Sequence, residues 1–150
     1  MKLHSDSIVE ELNQLLKGTH MGAYIFEDLR GKLKGKELID VFNQMIENLH
    51  QHEEALCALV ISEGGEASDS AGLKGSIADM MASLKNMSLT SDKEVLKEAI
   101  KSMEMGIKAI HDFDESHYTL KTDMQKTIRI MEDDYTSYYH MLHKYSIEYK

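Results

Sequence analysis

The sequence predicts an all-α fold: four long helices in a bundle, with one long crossover between the second and the third. Three observations carry that expectation. Proline is absent from all 150 residues, although a chain of this length ordinarily holds roughly seven or eight. Without its ring, no backbone N–H is lost and no preceding turn is obstructed, so long helices are free to run. Four apolar runs step alternately by four and three residues, the seam of helices packed side by side. The stretch between the second and third runs, Gly64 to Thr90, breaks that rhythm and is long.

The first helix is expected behind a capping box at Ser7-x-x-Glu10. Its seam is Ile8, Leu12, Leu15, Thr19, Gly22, Phe26 and Leu29. Gly31-Lys-Leu-Lys-Gly35 supplies a short turn. The second run is Leu38, Phe42, Met45, Leu49, His52, Leu56 and Leu59, stopped by Gly64-Gly65. So short a turn makes the two helices antiparallel neighbours. The connector opens small and polar (GGEASDSAG) and offers one weak amphipathic helix around Ile77, Met80, Met81 and Leu84. A third long helix starts at the Ser91-x-x-Glu94 box, with Val95, Leu96, Ala99, Ile100, Met103, Ile107 and Ile110. Thr122-x-x-Gln125 caps a fourth, with Met124, Ile128, Met131, Tyr135, Tyr138, Tyr139 and Leu142.

Helices of about 27 residues span roughly 40 Å, a length the connector can retrace. The second and third helices then run parallel, and a single crossover of that kind belongs to ferritin-like bundles. The chain is expected to form one domain over residues 1–150.

Composition excludes several functions. Seventeen basic against 26 acidic residues give a net charge of −9, which argues against a nucleic-acid or anionic-membrane surface. Charges at Asp6, Glu10 and Glu11 interrupt the first apolar stretch, so no signal peptide or membrane insertion is expected and a cytoplasmic location is. The single cysteine, Cys57, permits neither an intramolecular disulfide nor a CxxC motif. No phosphate loop or nucleophile elbow is present.

Beyond the pattern of runs, the chain resembles a bacterial family of ferritin-like four-helix proteins classed as a domain of unknown function. The residues that carry the resemblance are Leu12-Asn13-x-Leu15, Gly22, Phe26, Glu37-Leu38, Phe42, Leu56, Gly64-Gly65, Gly75, Leu84-Lys85, Glu98 and Lys108-Ala109. It implies the fold over most of the chain and brings no established activity. Where such proteins tend to carry an acidic cluster resembling E-x-E-R-G-E-D, this chain reads Glu98-Ala-Ile-Lys-Ser-Met-Glu104. A function resting on the inner carboxylates is therefore not carried over.

Ferritin-like di-iron and di-manganese sites take a Glu from each of two helices and a Glu-x-x-His from each of the other two. One match exists, Glu47-x-x-His50. At about 100° per residue, Glu47 falls opposite the apolar direction of its helix and His50 roughly 120° from it. His52 instead lies within about 40° of the stripe's centre. It reads first as a hydrogen-bonded core histidine, with Asn48 and Glu53 on its flanks. If the helices rotate toward one another, His20, His52, Glu104 and Glu132 are the candidate ligands for iron or manganese. His20 sits well off its helix stripe, and the standard motif is incomplete.

The remaining features read as structure. The 11 methionines lack an M-x-x-M repeat for copper(I) and suit adaptable packing. The tyrosines of the fourth run form an amphipathic wall. His140 and His143 belong to a surface, and Asp114 with His117 could plug one end of the bundle. The functional expectation is a non-catalytic bundle acting through self-assembly, as a homodimer, or through a protein partner. Outward Tyr24, Ile25 and Ile130 are its candidate contacts. A metal-dependent oxidase or metal-storage protein with a non-standard site is the alternative.

Overall fold

A computed structural model of the chain describes residues 4–69, 74–116 and 122–149. Five helices follow in order: α1 (His4–Arg30), α2 (Lys36–Ser62), α3 (Lys74–Asn86), α4 (Asp92–Ser116) and α5 (Thr122–Glu148). Helix α1 begins ahead of Ser7, which lies inside the helix and is not its cap. Neither proline nor glycine stands in residues 4–7 to stop the extra turn. At α4 Ser91 caps the helix as expected, the Glu94 N–H donating to Ser91 Oγ at 3.3 Å, while the Glu94 carboxylate accepts from the Ser91 hydroxyl at 3.1 Å in place of the backbone N–H of a full box.

Helix α2 ends where two glycines were expected to end it. Gly64 adopts φ +84°, a conformation that an L side chain disfavours. The Gly65 N–H then reaches back to Val60 O and the Gly64 N–H to Ile61 O, both at 3.0 Å. This pair of bonds is a Schellman motif, which satisfies carbonyls left over at the helix end. Gly65 passes so close to Val9 of α1 that a Cβ there would run into the valine side chain.

The direction of α4 is fixed by one carboxylate. Asp92, the first residue of α4, accepts the Lys34 and Gly35 backbone N–H groups, each at 2.8 Å, in the α1–α2 turn. Lys34 Nζ also donates to Thr90 O at 3.1 Å. Tyr145, near the end of α5, donates to Glu37 at 3.0 Å at that same end of the bundle. Hence α1 and α5 run toward this end while α2 and α4 run away from it. The segment from Glu63 to Ser91, carrying α3, returns the chain along the bundle, as the parallel second and third long helices require.

The core fills the space between the four long helices. Leu12, Leu16, Leu29, Leu38, Phe42, Leu56, Val60, Leu96, Ile128 and Leu142 are fully buried, and the rings of Phe26 and Phe42 lie 5.5 Å apart. The buried stripe is wider than the seam: Leu16, Ala23, Ile46 and Val60 join it, whereas Leu59 and Ile107 are only half-buried. Side chains at Ile77, Met80 and Met81 lie outside the described residues, as does His117. No helix among the described residues is long and apolar enough to cross a membrane.

Candidate functional site

Two polar clusters flank the middle of α2 because successive helical residues point about 100° apart. His52 takes a core position on α2 and is 4% exposed. Its Nε2 lies 2.8 Å from Asp134 Oδ2 of α5. The same oxygen accepts a hydrogen bond from Asn48 Nδ2 at 2.9 Å, and Asn48 also donates to the Tyr138 hydroxyl at 2.7 Å. A carboxylate can only accept, so Nε2 is the donor to Asp134, and Nδ1 is left as the ring's other nitrogen. That Nδ1 is buried and has no hydrogen-bond partner among the described residues.

Tyr135 packs edge-on to the His52 ring with centroids 5.2 Å apart. Burial deprives its phenolate of water and pushes the pKa up to about 12, with the Asp134 and Glu53 charges adding to the rise and a Thr19 hydrogen bond opposing it. The phenol is therefore a neutral group at any ordinary pH. Thr19 turns its own hydroxyl to Leu15 O at 2.8 Å. Burial also raises Tyr138, against the hydrogen bond from Asn48.

The second cluster faces α1 and the connector. The Glu53 carboxylate is shared: one oxygen meets His20 Nδ1 and the other His50 Nδ1. His20 Nε2 faces Ser68 O at 3.1 Å, and His50 Nε2 faces Glu27 at 3.1 Å. Partial burial lowers the His50 pKa, but hydrogen bonds and charges from Glu53 and Glu27 outweigh it, and the net shift is upward. Asn13 ties the connector beside this cluster, donating to Glu66 O at 3.0 Å and accepting from Ser68 N–H at 2.9 Å.

The four candidate ligands do not share one place. His52 is inward, as its phase predicts. His20 is also buried, at 9% exposure, although its own helix phase points it away from the stripe. Glu104 is exposed on α4. Glu132 is half-buried on α5, with one carboxylate oxygen buried and without a partner among the described residues. No hydrogen bond or ion pair among the described residues links Glu104 or Glu132 to either histidine. Among the described residues no three His, Cys, Asp or Glu side chains are grouped so as to hold a metal ion.

The remaining sequence signals resolve individually. Glu47 of the Glu47-x-x-His50 pair is exposed, so His50 works with Glu53 three residues on, not with Glu47. That i, i+3 spacing was the signal for Glu53; Asp134 had none, because its partners lie 82 and 86 residues away. His143 and Tyr139 pair with each other on an exposed stretch of α5. Burial, with the Glu53 and Glu54 charges, raises the Cys57 thiol and keeps it protonated. Between α1 and α4 lies an apolar cavity of about 240 Å³ that reaches inward to Tyr135.

Comparison with known proteins places this geometry. Two solved structures align over 97% of the chain. One, from Bacillus anthracis, is described as ferritin-like, diiron-carboxylate proteins; it shares 18% identity, is covered over 99% of its length and gives a TM-score of 0.74. The other is a two-domain protein of Anabaena variabilis with DJ-1/ThiJ/PfpI-like and ferritin-like domains. It shares 20% identity at a TM-score of 0.73, and the chain covers 37% of it. At these identities the likeness shows the fold. No curated protein matches the chain. Residues 7–134 match the family described as domain of unknown function (DUF2383), so the chain belongs to that family and carries it on a ferritin-like bundle.

Proposed function

We propose that this chain is a non-catalytic ferritin-like bundle, a single domain that acts in the cytoplasm through self-association as a homodimer and without a dinuclear metal centre. The observation that carries this reading is the interior donor set. A dinuclear carboxylate centre draws four carboxylates and two imidazoles inward from four helices. Here the buried polar side chains among the described residues are Thr19, His20 and His52. Helix α4 turns Ala99, Ile100, Met103 and Ile110 to the core, with Gly106 beside the Tyr135 ring. Glu53 and Asp134, the carboxylates that reach the two buried histidines, are already committed to those imidazoles. The residues present do not fit the dinuclear group for which the Bacillus anthracis neighbour is named.

Self-association is supported by large apolar side chains left in solvent: Met105 (74% exposed), Ile61 (66%) and Ile130 (52%). Tyr24 is partly exposed, whereas Ile25 is half-buried against the core. Sedimentation velocity across a concentration series tests this part. The expected result is a dimer that Met105→Glu or Ile130→Glu weakens; a strict monomer at high concentration overturns it.

One observation favours a metal-binding reading instead. An imidazole that gives one N–H to a carboxylate and keeps its other nitrogen bare is the arrangement seen behind metal-bound histidines, and His52 with Asp134 has that form. Stoichiometric iron or manganese that disappears on His52→Ala would establish this second reading.

A further inference from the structure

We propose that the cavity between α1 and α4 binds one small, neutral, largely apolar molecule of one or two rings. Close-packed interiors leave few voids larger than a water molecule, and an apolar cavity of about 150 Å³ already takes up benzene. The opening here measures about 240 Å³. It penetrates the core, since Phe26, Leu49 and Tyr135 on its wall are 2%, 3% and 4% exposed.

Glycines at Gly18 and Gly22 on α1 keep it open. Where glycines let two helices touch, an added Cβ would strike the facing helix. A Cβ at half-buried Gly22 would meet no heavy atom within 4 Å, so the space beside it is vacant and is not a close helix contact, and Gly18 leaves the exposed mouth equally clear.

The lining chooses the chemistry of the occupant. It contains no Asp, Glu, Lys, Arg or His, and a charged molecule would lose its water there with nothing to replace it. Besides Gln14 and Ser102, its polar groups are the buried Thr19 and Tyr135 hydroxyls. Thr19 already gives its proton to Leu15 O and is bonded to Tyr135, which leaves oxygen lone pairs for a ligand with one inward N–H or O–H donor. The volume lies below the roughly 300–1,000 Å³ of drug-sized pockets, so the ligand is smaller than a nucleotide cofactor. A helix of a second copy, about 10 Å across, would cover the mouth of this cavity and leave its depth empty.

Indole is a suitable probe because the chain has no tryptophan, so indole emission excited beyond the tyrosine band is unobscured. The expected result is a saturable blue shift at one indole per chain. Gly22→Leu, whose side chain would occupy the space, should weaken binding about tenfold or more while leaving the helical circular dichroism unchanged. Gly18→Ala combined with Gly22→Ala is the milder variant, with weaker binding and an equal or higher Tm expected. Three results would overturn the proposal: no saturable shift, unchanged binding in the filled variants, or filled variants that still bind indole but dissociate the dimer. The last would assign this face to a second copy of the chain.

Discussion

Replacing Asp92 should destabilise this bundle far more than replacing an ordinary helix cap. Its carboxylate joins the start of α4 to the α1–α2 turn through two backbone N–H groups at 2.8 Å. A hydrogen bond to a charged group is worth about 1.5–3 kcal/mol. Lys34 is exposed and its N–H regains water on mutation, whereas Gly35 is half-buried and bears most of the loss. The negative charge at the α4 N-terminus adds about 0.3–1 kcal/mol. Asp92→Ala is thus expected to cost about 2–3 kcal/mol, and Asp92→Asn, which keeps one acceptor, roughly half of that. For a chain of this size each kcal/mol lowers Tm by about 2–4 °C, giving a drop of about 4–12 °C.

Urea denaturation monitored by circular dichroism measures the cost, with an unchanged slope confirming that the unfolded state is unaffected. Gly35→Ala tests the same clamp from its other side, because the new Cβ would sit 2.9 Å from Asp92 Oδ2 and 3.0 Å from the Tyr149 hydroxyl. The two substitutions should be strongly non-additive in a double-mutant cycle. If Asp92→Ala changes stability by less than about 0.5 kcal/mol, the clamp is not formed. Its support for parallel α2 and α4 would go with it.

Three further outcomes follow from the geometry. Gly65→Ala should destabilise by about 1–3 kcal/mol through overpacking against Val9, and Val9→Ala should restore part of the loss in urea titrations. Asp134→Ala should cost more than His52→Leu, since the first strands a buried imidazole and the second removes it; thermal melts of both variants give the order. The upward shift at His50 stabilises the fold fully below the unfolded histidine pKa and is lost as pH rises through the folded value. Half-exposed as His50 is, the effect should stay below about 1 kcal/mol. It appears as lower stability at pH 8 than at pH 6, a difference that Glu53→Gln should reduce.

Much of the architecture was legible in the sequence because helix seams and stops are local. Gly64-Gly65 ends α2 through its own backbone geometry, and the Ser91 cap starts α4 through groups three residues apart. The polar clusters were less legible because they depend on what covers each helix. His20 lies off the stripe that α1 shows to α2, yet it is buried because the connector crosses above it and places Ser68 O on its ring. Val9 and Asn13 meet the same segment. A single-helix phase sees one packing partner, whereas α1 has contacts with α2, α3 and α4. His52 was legible for the opposite reason: it points straight into the seam. Asp134 was not, since an acidic residue at a helix edge shows no sign of a histidine waiting 82 residues earlier.

An interior without a dinuclear metal centre, as proposed for this ferritin-like bundle, is checked by metal stoichiometry. Protein purified without chelator, and protein loaded anaerobically with Fe(II) or Mn(II) and then desalted, should both carry far less than one ion per chain by elemental analysis. The visible spectrum after exposure to oxygen should show no metal-dependent band. Two ions per chain, retained through desalting and lost on His52→Ala, would contradict the account.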